Sequence, residues 1–118
     1  MACHTANMAF MALKLGYPTS VVAEAGDVNL ETCPSWAHVT IQFPQRDEMV
    51  PVTWHWYEGK KDGKKVTPPE ALLAKVLKKG ENLAGSGSIL VGDKGILFSP
   101  NDYGAQFRLI GEGYDGLN

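Results

Sequence analysis

The chain has 118 residues, enough for one domain with a hydrophobic core and too few for a dinucleotide-binding domain plus a substrate domain. Its 11 basic and 13 acidic side chains give a net charge of −2, which argues against nucleic acid as a partner because phosphate binding requires a concentrated positive field. No apolar stretch reaches the length of a membrane span, and no secretory leader is evident. We therefore expect a cytoplasmic chain that does not enter the membrane, although a longer parent protein could carry a leader.

The first sixteen residues have the pattern of an α-helix. Met8, Met11 and Leu15 recur at spacings of three and four, and β-branched residues are almost absent. Gly16, followed closely by Pro18, predicts the end of this helix. Apolar side chains surround most of it, so we expect burial on more than one side. The pattern begins without a capping segment, which suggests that the chain is part of something longer.

His4 and Asn7 share one face of this predicted helix, close to its amino-terminal end. An imidazole and a carboxamide placed together on a buried helix need hydrogen-bond partners, which makes the pair a candidate site. The alternative for His4 in the isolated chain is a structural histidine that hydrogen-bonds to the backbone or to water.

The rest of the chain alternates between strand and turn signals. Strands are predicted over residues 20–25, 36–43, 50–57, 88–91, 96–99 and 106–110, with the turn 92–95 closing a hairpin. A second helix is predicted to begin at Pro68, with Thr67 as its cap, and to end at Gly80. Short links favour antiparallel pairing, so we expect an α+β fold with a mainly antiparallel open sheet of about six strands and helices on one face.

Two predicted strands each have one apolar face. In the strand 36–43 it consists of Ala37, Val39, Ile41 and Phe43, and in the strand 50–57 of Val50, Val52, Trp54 and Trp56. Two helices can cover only one side of such a sheet, so we expect the other side to be buried in a two-fold homodimer. A sugar-stacking role for Trp54 and Trp56 is the alternative, but two aromatics on one strand face are more often core or interface.

Metal and phosphate sites are not expected. Five residues offer metal ligands: Cys3, His4, Cys33, His38 and His55. They lack the tight local pairs of a structural zinc site, and the two cysteines do not form a Cys-x-x-Cys motif, so we predict reduced thiols and no metal. The lysine-rich run at residues 60–65 includes Gly63 and directly follows Gly59, so we interpret it as a solvated loop rather than a phosphate site.

Two runs of sequence resemble a known family. They are MACHTANMAFMALKLGYP at residues 1–18, and GSGSILVGDKG at residues 85–95 with SPNDYG at residues 99–104. In these runs the chain resembles the Gfo/Idh/MocA oxidoreductases, most closely the bacterial branch of sugar dehydrogenases. Members of that family join a Rossmann domain, which binds NAD or NADP, to an α+β domain that supports the substrate site and commonly forms the dimer interface. The resemblance implies that residues 1–118 are one partial substrate and dimerisation domain, without the Rossmann domain.

The resemblance also implies a role for His4. The family's motif is an aspartate followed four residues later by a histidine, both reaching the sugar beside the nicotinamide ring. His4 matches the histidine and is therefore the predicted catalytic residue, with Asn7 as a substrate-binding neighbour, but the aspartate would fall one position before Met1. The family's catalytic lysine and glycine-rich phosphate loop have no counterpart either, and no Gly-x-Gly-x-x-Gly occurs.

Two functions follow as expectations. The first is a fragment of an NAD(P)-dependent oxidoreductase that acts on a sugar or polyol, inactive alone because its cofactor belongs to a separate Rossmann domain. The second is a non-catalytic homo-oligomeric domain that uses its sheet face for binding.

Overall fold

The structure is a computed structural model that describes residues 2–114. Over those residues the chain has the expected α+β class, with two α-helices and seven strands in two open antiparallel sheets. The prediction of one sheet of about six strands is thereby refined, because the strands divide between two compact units. One unit comprises residues 14–70, and the other comprises residues 2–13 and 71–114. Whether the chain is a single partial domain of a longer protein stays a prediction.

The elements follow one another with short connections. Their bounds are α1 Ala2–Ala12, β1 Ser20–Gly26, β2 Trp36–Phe43, β3 Val52–Lys61, β4 Lys64–Lys65, α2 Glu70–Val76, β5 Ser88–Val91, β6 Ile96–Ser99, a 3₁₀-helix Asp102–Gly104 and β7 Arg108–Ile110. The hairpin of β5 and β6 has the predicted bounds, whereas both α-helices end about four residues earlier than predicted.

Unit 14–70 is built on a four-stranded sheet in the order β1-β2-β3-β4. Val21 pairs with Ile41, and Ile41 pairs with Trp54, so these three side chains lie on one face. We define the apolar face by the apolar residues that share this side: Val21, Ala23, Ala25, Ala37, Val39, Ile41, Phe43, Val52, Trp54 and Trp56. Val50, expected in the same strand, lies before β3 and is 71% exposed.

The lysine-rich run is not a loop, as its composition suggested, but the end of a hairpin. Lys60 pairs with Lys65 and Lys61 pairs with Lys64 across a two-residue turn. Both turn residues, Asp62 and Gly63, have positive φ (49° and 76°), as a tight hairpin turn that matches strand twist requires. The Asp-Gly pair was therefore a readable hairpin signal, and the lysines remain exposed on the strands.

Helix α1 is less buried than its composition suggested. Among its described residues only Ala9 is buried, and Met8, Phe10 and Met11 are exposed, so the expectation of burial on more than one side is wrong. The helix contacts the 3₁₀-helix and β5, which cover one flank. It ends because Lys14 takes the left-handed conformation (φ 47°), and the Arg46 Nε donates a hydrogen bond of 3.2 Å to the Lys14 carbonyl.

Unit 2–13 with 71–114 has a small core around its three-stranded sheet, in the order β5-β6-β7. Ala9, Val76 and Phe98 are its buried apolar residues in the described chain. The Arg108 guanidinium lies 5.0 Å from the centre of the Phe98 ring, and it donates hydrogen bonds to the Val76 carbonyl (3.0 Å) and to the Glu81 carboxylate (2.9 Å). Arg108 therefore ties β7 to the segment that follows α2.

The small core makes Phe98 a test of the fold. Phe98 is 2% exposed, and truncating a fully buried phenylalanine to alanine costs about 3 to 5 kcal/mol, so we expect Phe98→Ala to lower the free energy of unfolding of this unit by about that much. Phe107→Ala is the matched control, because Phe107 is 51% exposed and its loss should cost less than about 1 kcal/mol.

Urea unfolding followed by the amide resonances of β5, β6 and β7 measures this difference. Tryptophan fluorescence is unsuitable, since all three tryptophans of the chain lie in unit 14–70. Equal losses in the two variants would show that Phe98 is not the centre of the core. If Phe98→Ala is unfolded in water, the milder Phe98→Leu provides the comparison.

Candidate functional site

The predicted catalytic residue His4 lies in a cluster of polar side chains where α1 meets the 3₁₀-helix. The Nδ1 atom of His4 is hydrogen-bonded to the hydroxyl group of Tyr103, 99 residues away along the chain. The two rings meet edge to face, with centroids 5.5 Å apart and an interplanar angle of 86°. His4 is exposed and Tyr103 is 52% exposed, so both groups of the pair are accessible to a ligand.

Beside this pair lies a carboxylate held by two hydroxyl groups. Asp102 Oδ1 accepts a hydrogen bond of 2.6 Å from Thr5 and one of 2.5 Å from Ser86. The two hydroxyl oxygens are themselves 2.9 Å apart. Three segments that are distant in sequence, α1, the loop before β5 and the 3₁₀-helix, therefore meet at one oxygen atom. We call His4, Thr5, Ser86, Asp102 and Tyr103 the polar cluster.

The hydrogen bonds also set the charge of the cluster. Donation by the Ser86 hydroxyl, followed by donation from Thr5, holds the pKa of Asp102 below its ordinary value, and the nearby His4 acts in the same direction. Asp102 is therefore ionised at neutral pH and serves only as an acceptor. The cluster therefore places an anion and two hydroxyl groups beside one accessible imidazole.

The backbone at Tyr103 is strained. Its φ of 60° lies in the left-handed region, which costs a residue with a bulky side chain about 1 to 2 kcal/mol. Nearby hydrogen bonds hold this turn: the buried Ser99 hydroxyl donates to the Gln106 carbonyl (2.8 Å), and the Gln106 amide donates to the Asn101 side chain (3.3 Å). The strain therefore directs the Tyr103 phenol toward His4 within a turn that is fixed on both sides.

The polar cluster can bind and deprotonate a hydroxyl group. Histidine and tyrosine side chains both serve in general acid–base chemistry, and here the imidazole and the phenol share a hydrogen bond. The accessible hydroxyl, carboxylate and imidazole groups match the alternating donors and acceptors of a polyol.

The other predicted residues have different positions. Asn7 is exposed on α1, and Cys3 and Cys33 are exposed free thiols. His38 and His55 contact each other in unit 14–70. Over residues 2–114, no group of three or more His, Cys, Asp or Glu side chains is arranged to hold a metal ion.

Reasoning from single residues missed four members of the polar cluster: Thr5, Ser86, Asp102 and Tyr103. They lie within the sequence runs that carry the family resemblance, and the density of polar residues in GSGS and SPNDYG was the available signal. Spacing along the chain could not reveal that these runs meet, because 81 to 99 residues separate the partners.

Comparison with known proteins adds no identification. No protein-family model matches the chain, and none of the curated proteins is significantly similar to it. Among the described residues no helix is long and apolar enough to cross a membrane.

The charge state of Asp102 gives a direct test of the polar cluster. Since Ser86 is the main cause of the lowered pKa, we expect Ser86→Ala to raise the pKa of Asp102 toward its ordinary value of 3.8, measured by NMR titration of the side-chain carboxyl carbon. Thr5→Val should have a smaller effect in the same direction. Ser88→Ala, two residues away and outside the cluster, is the matched control and should leave the titration unchanged.

A lowered pKa also predicts the direction of a stability change. Because the folded state lowers the pKa of Asp102, its contribution to stability is present above pH 3.8 and is lost as the pH falls through the folded-state value. Ser86→Ala should reduce this acid-dependent loss. An unchanged Asp102 titration in Ser86→Ala would contradict the hydrogen bond.

Proposed function

We propose that this chain is the substrate-side domain of an NAD(P)-dependent oxidoreductase of the Gfo/Idh/MocA type that acts on a sugar or polyol and is inactive alone. The observation that supports this proposal is the convergence of the two sequence runs that carry the family resemblance. The run at residues 1–18 supplies His4 and Thr5, and the run at residues 85–104 supplies Ser86, Asp102 and Tyr103. Two runs that are distant in the sequence, and that both resemble the same family, thus contribute side chains to one accessible cluster.

The proposed role of this chain is limited to the substrate. His4, supported by its hydrogen bond to Tyr103, takes the proton of a carbinol hydroxyl group, and the ionised Asp102 lies beside this pair as a hydrogen-bond acceptor. The Thr5 and Ser86 hydroxyls fix the carboxylate and so act as positioning residues. Asn7 lies one turn beyond His4 on α1 and is proposed to contact a more distant hydroxyl of the same substrate.

The residues of this chain do not fit a dinucleotide. A pyrophosphate is normally held by a glycine-rich loop that opens a helix, and no such motif occurs in the sequence. We therefore assign the NAD or NADP of the proposed enzyme to a separate Rossmann domain. No step of hydride transfer is assigned to the residues of this chain. The proposed compartment is the cytoplasm, with which the two free, exposed thiols are consistent.

Ligand binding by the polar cluster tests the proposal. We expect sorbitol or glucose to cause saturable NMR shifts at His4, Thr5 and Ser86, and His4→Gln or Tyr103→Phe to weaken binding about fivefold, the loss of one hydrogen bond of about 1 kcal/mol. Tyr17→Phe is the matched control, because Tyr17 is 94% exposed and lies outside the cluster.

Titration with NAD and with NADP completes this experiment. Neither nucleotide should give saturable binding at micromolar concentration, since the chain has no cradle for a pyrophosphate. The proposal fails if neither sugar nor polyol shifts the cluster resonances, or if Tyr17→Phe weakens binding as much as Tyr103→Phe.

A second candidate function, a non-catalytic homo-oligomeric domain, is favoured by the apolar face. In unit 14–70, Leu15 and Phe43 are the only buried apolar residues among those described, although the sheet presents ten apolar side chains on one side. Val21 at the β1 edge is exposed, and Trp54 on β3 is half-buried. Glu58, which pairs with Ala37, also lies on this side and accepts a hydrogen bond of 2.7 Å from the Trp56 indole, so it marks the charged end of the face. The ten apolar residues are the part of the sheet that a second copy could cover about a two-fold axis.

We propose that a second copy of this chain covers the apolar face. Of its ten residues only Phe43 is buried, so the face leaves apolar side chains accessible to solvent, and a stable dimer would bury on the order of 1,200 to 2,000 Å² in total. The residues of this face are different from those of the polar cluster, so the two proposals are tested by different variants.

Neighbouring valines on β1 provide a matched test of this dimer. Val21 and Val22 are 57% and 61% exposed but lie on opposite faces of the strand, so Val21→Asp should shift the chain to monomer whereas Val22→Asp should leave the dimer intact. Light scattering at tens of micromolar measures the mass of each. A monomeric unmutated chain, or dissociation by Val22→Asp alone, would contradict the proposed face.

A further inference from the structure

Two histidines meet on the face of the four-stranded sheet opposite the apolar face. His38 on β2 and His55 on β3 have ring nitrogens 3.2 Å apart, Nε2 of the first and Nδ1 of the second. The Thr40 hydroxyl is also 3.2 Å from the same Nδ1 atom. Two ring nitrogens and one hydroxyl oxygen, from two adjacent strands, therefore lie close together.

The two imidazoles are close enough to bind one ion together. Both contacts lie at the exposed surface of the sheet, and a cation can accept a lone pair from each ring at once. Two nitrogen ligands about 2.0 to 2.1 Å from one ion lie about 2.9 to 3.4 Å apart in square-planar or tetrahedral geometry, which brackets the observed distance.

The geometry points to a divalent transition-metal site formed by His38 Nε2 and His55 Nδ1, with Thr40 beside them and water at the open positions. Imidazole ligands select copper, nickel and zinc over magnesium and calcium, which prefer oxygen. The two-residue set is smaller than a structural zinc site, so the ion binds reversibly to the folded sheet rather than supporting its folding.

Neighbouring side chains support the site. The Tyr57 ring stacks on His38, with centroids 4.5 Å apart and planes within 11°, and so fixes the orientation of the imidazole. Glu24 pairs with His38 from β1 and places a carboxylate on this face, which favours a cation.

The lysines of the same face lie farther along the sheet. Lys61 and Lys64 form the pair at the hairpin end, and the Lys61 ammonium lies 4.6 Å from the centre of the Trp36 ring. The cationic end of the face is therefore separated from the two histidines by the Trp36 and Tyr57 positions.

Titration of the whole chain with CuCl₂ and with ZnCl₂ tests the inference, and His4 supplies an internal control because the chain has only three histidines. After alkylation of the two exposed thiols, which would otherwise bind or reduce copper, we expect one ion per chain, with copper binding more tightly than zinc and MgCl₂ not binding. His38→Asn and His55→Asn should each weaken binding about tenfold or more, whereas His4→Asn should change it less than about twofold.

A measurement on the unmutated chain keeps the test independent of folding in the variants. Paramagnetic Cu²⁺ should broaden the ring resonances of His38 and His55 before that of His4, and binding should weaken in acid as protons compete for the nitrogens. Retained affinity in His38→Asn or His55→Asn, or first broadening at His4, would overturn the site and leave the pair as an imidazole hydrogen bond only.

Discussion

The carboxylate of Asp102 is the constraint on which the candidate substrate site depends. One oxygen atom accepts hydrogen bonds from Thr5 on α1 and from Ser86 before β5, and so joins segments that sequence separates widely. Charge-assisted hydrogen bonds of this kind are short and about twice as strong as neutral ones. Because Tyr103 follows Asp102 directly, fixing the carboxylate also fixes the start of the strained turn that directs the phenol to His4. The position of His4, the proposed base, therefore depends through Tyr103 on the Asp102 carboxylate.

That arrangement explains why an exposed helix can still carry an ordered site. Helix α1 buries little apolar surface, and an isolated helix of 11 residues is marginal in water. Its amino-terminal turn is instead held by polar contacts from Thr5 and His4 to the 3₁₀-helix. Polar contacts are sensitive to geometry and to pH in a way that apolar burial is not, so the site and the helix end should form and be lost together.

Short-range patterns predicted the local structure well, and long-range contacts were beyond them. Period-two alternation identified the strand Trp36–Phe43 and the hairpin of β5 and β6 with their bounds, because strand faces and turn residues are local properties. The end of α1 was predicted too late, at Gly16, because the left-handed conformation of Lys14 was not expected from a lysine. The division into two sheets and the polar cluster were missed because they depend on contacts between residues that are distant in the sequence. The family resemblance pointed to His4 and Asn7 but assigned no site role to residues 85–104.

The register of β2 couples two properties of the four-stranded sheet that would otherwise be independent. Val39 and Ile41 lie on the apolar face, while His38 and Thr40 alternate with them on the opposite side. A slip of one residue against β3 would exchange the faces, separate His38 from His55 and place imidazoles among the apolar side chains. Burial of the apolar face against any cover therefore selects the one register that brings the two imidazoles together. The histidines need not be buried to be brought together, because the register of the strands already fixes their positions. Two ligands can therefore be held close to each other on an exposed sheet.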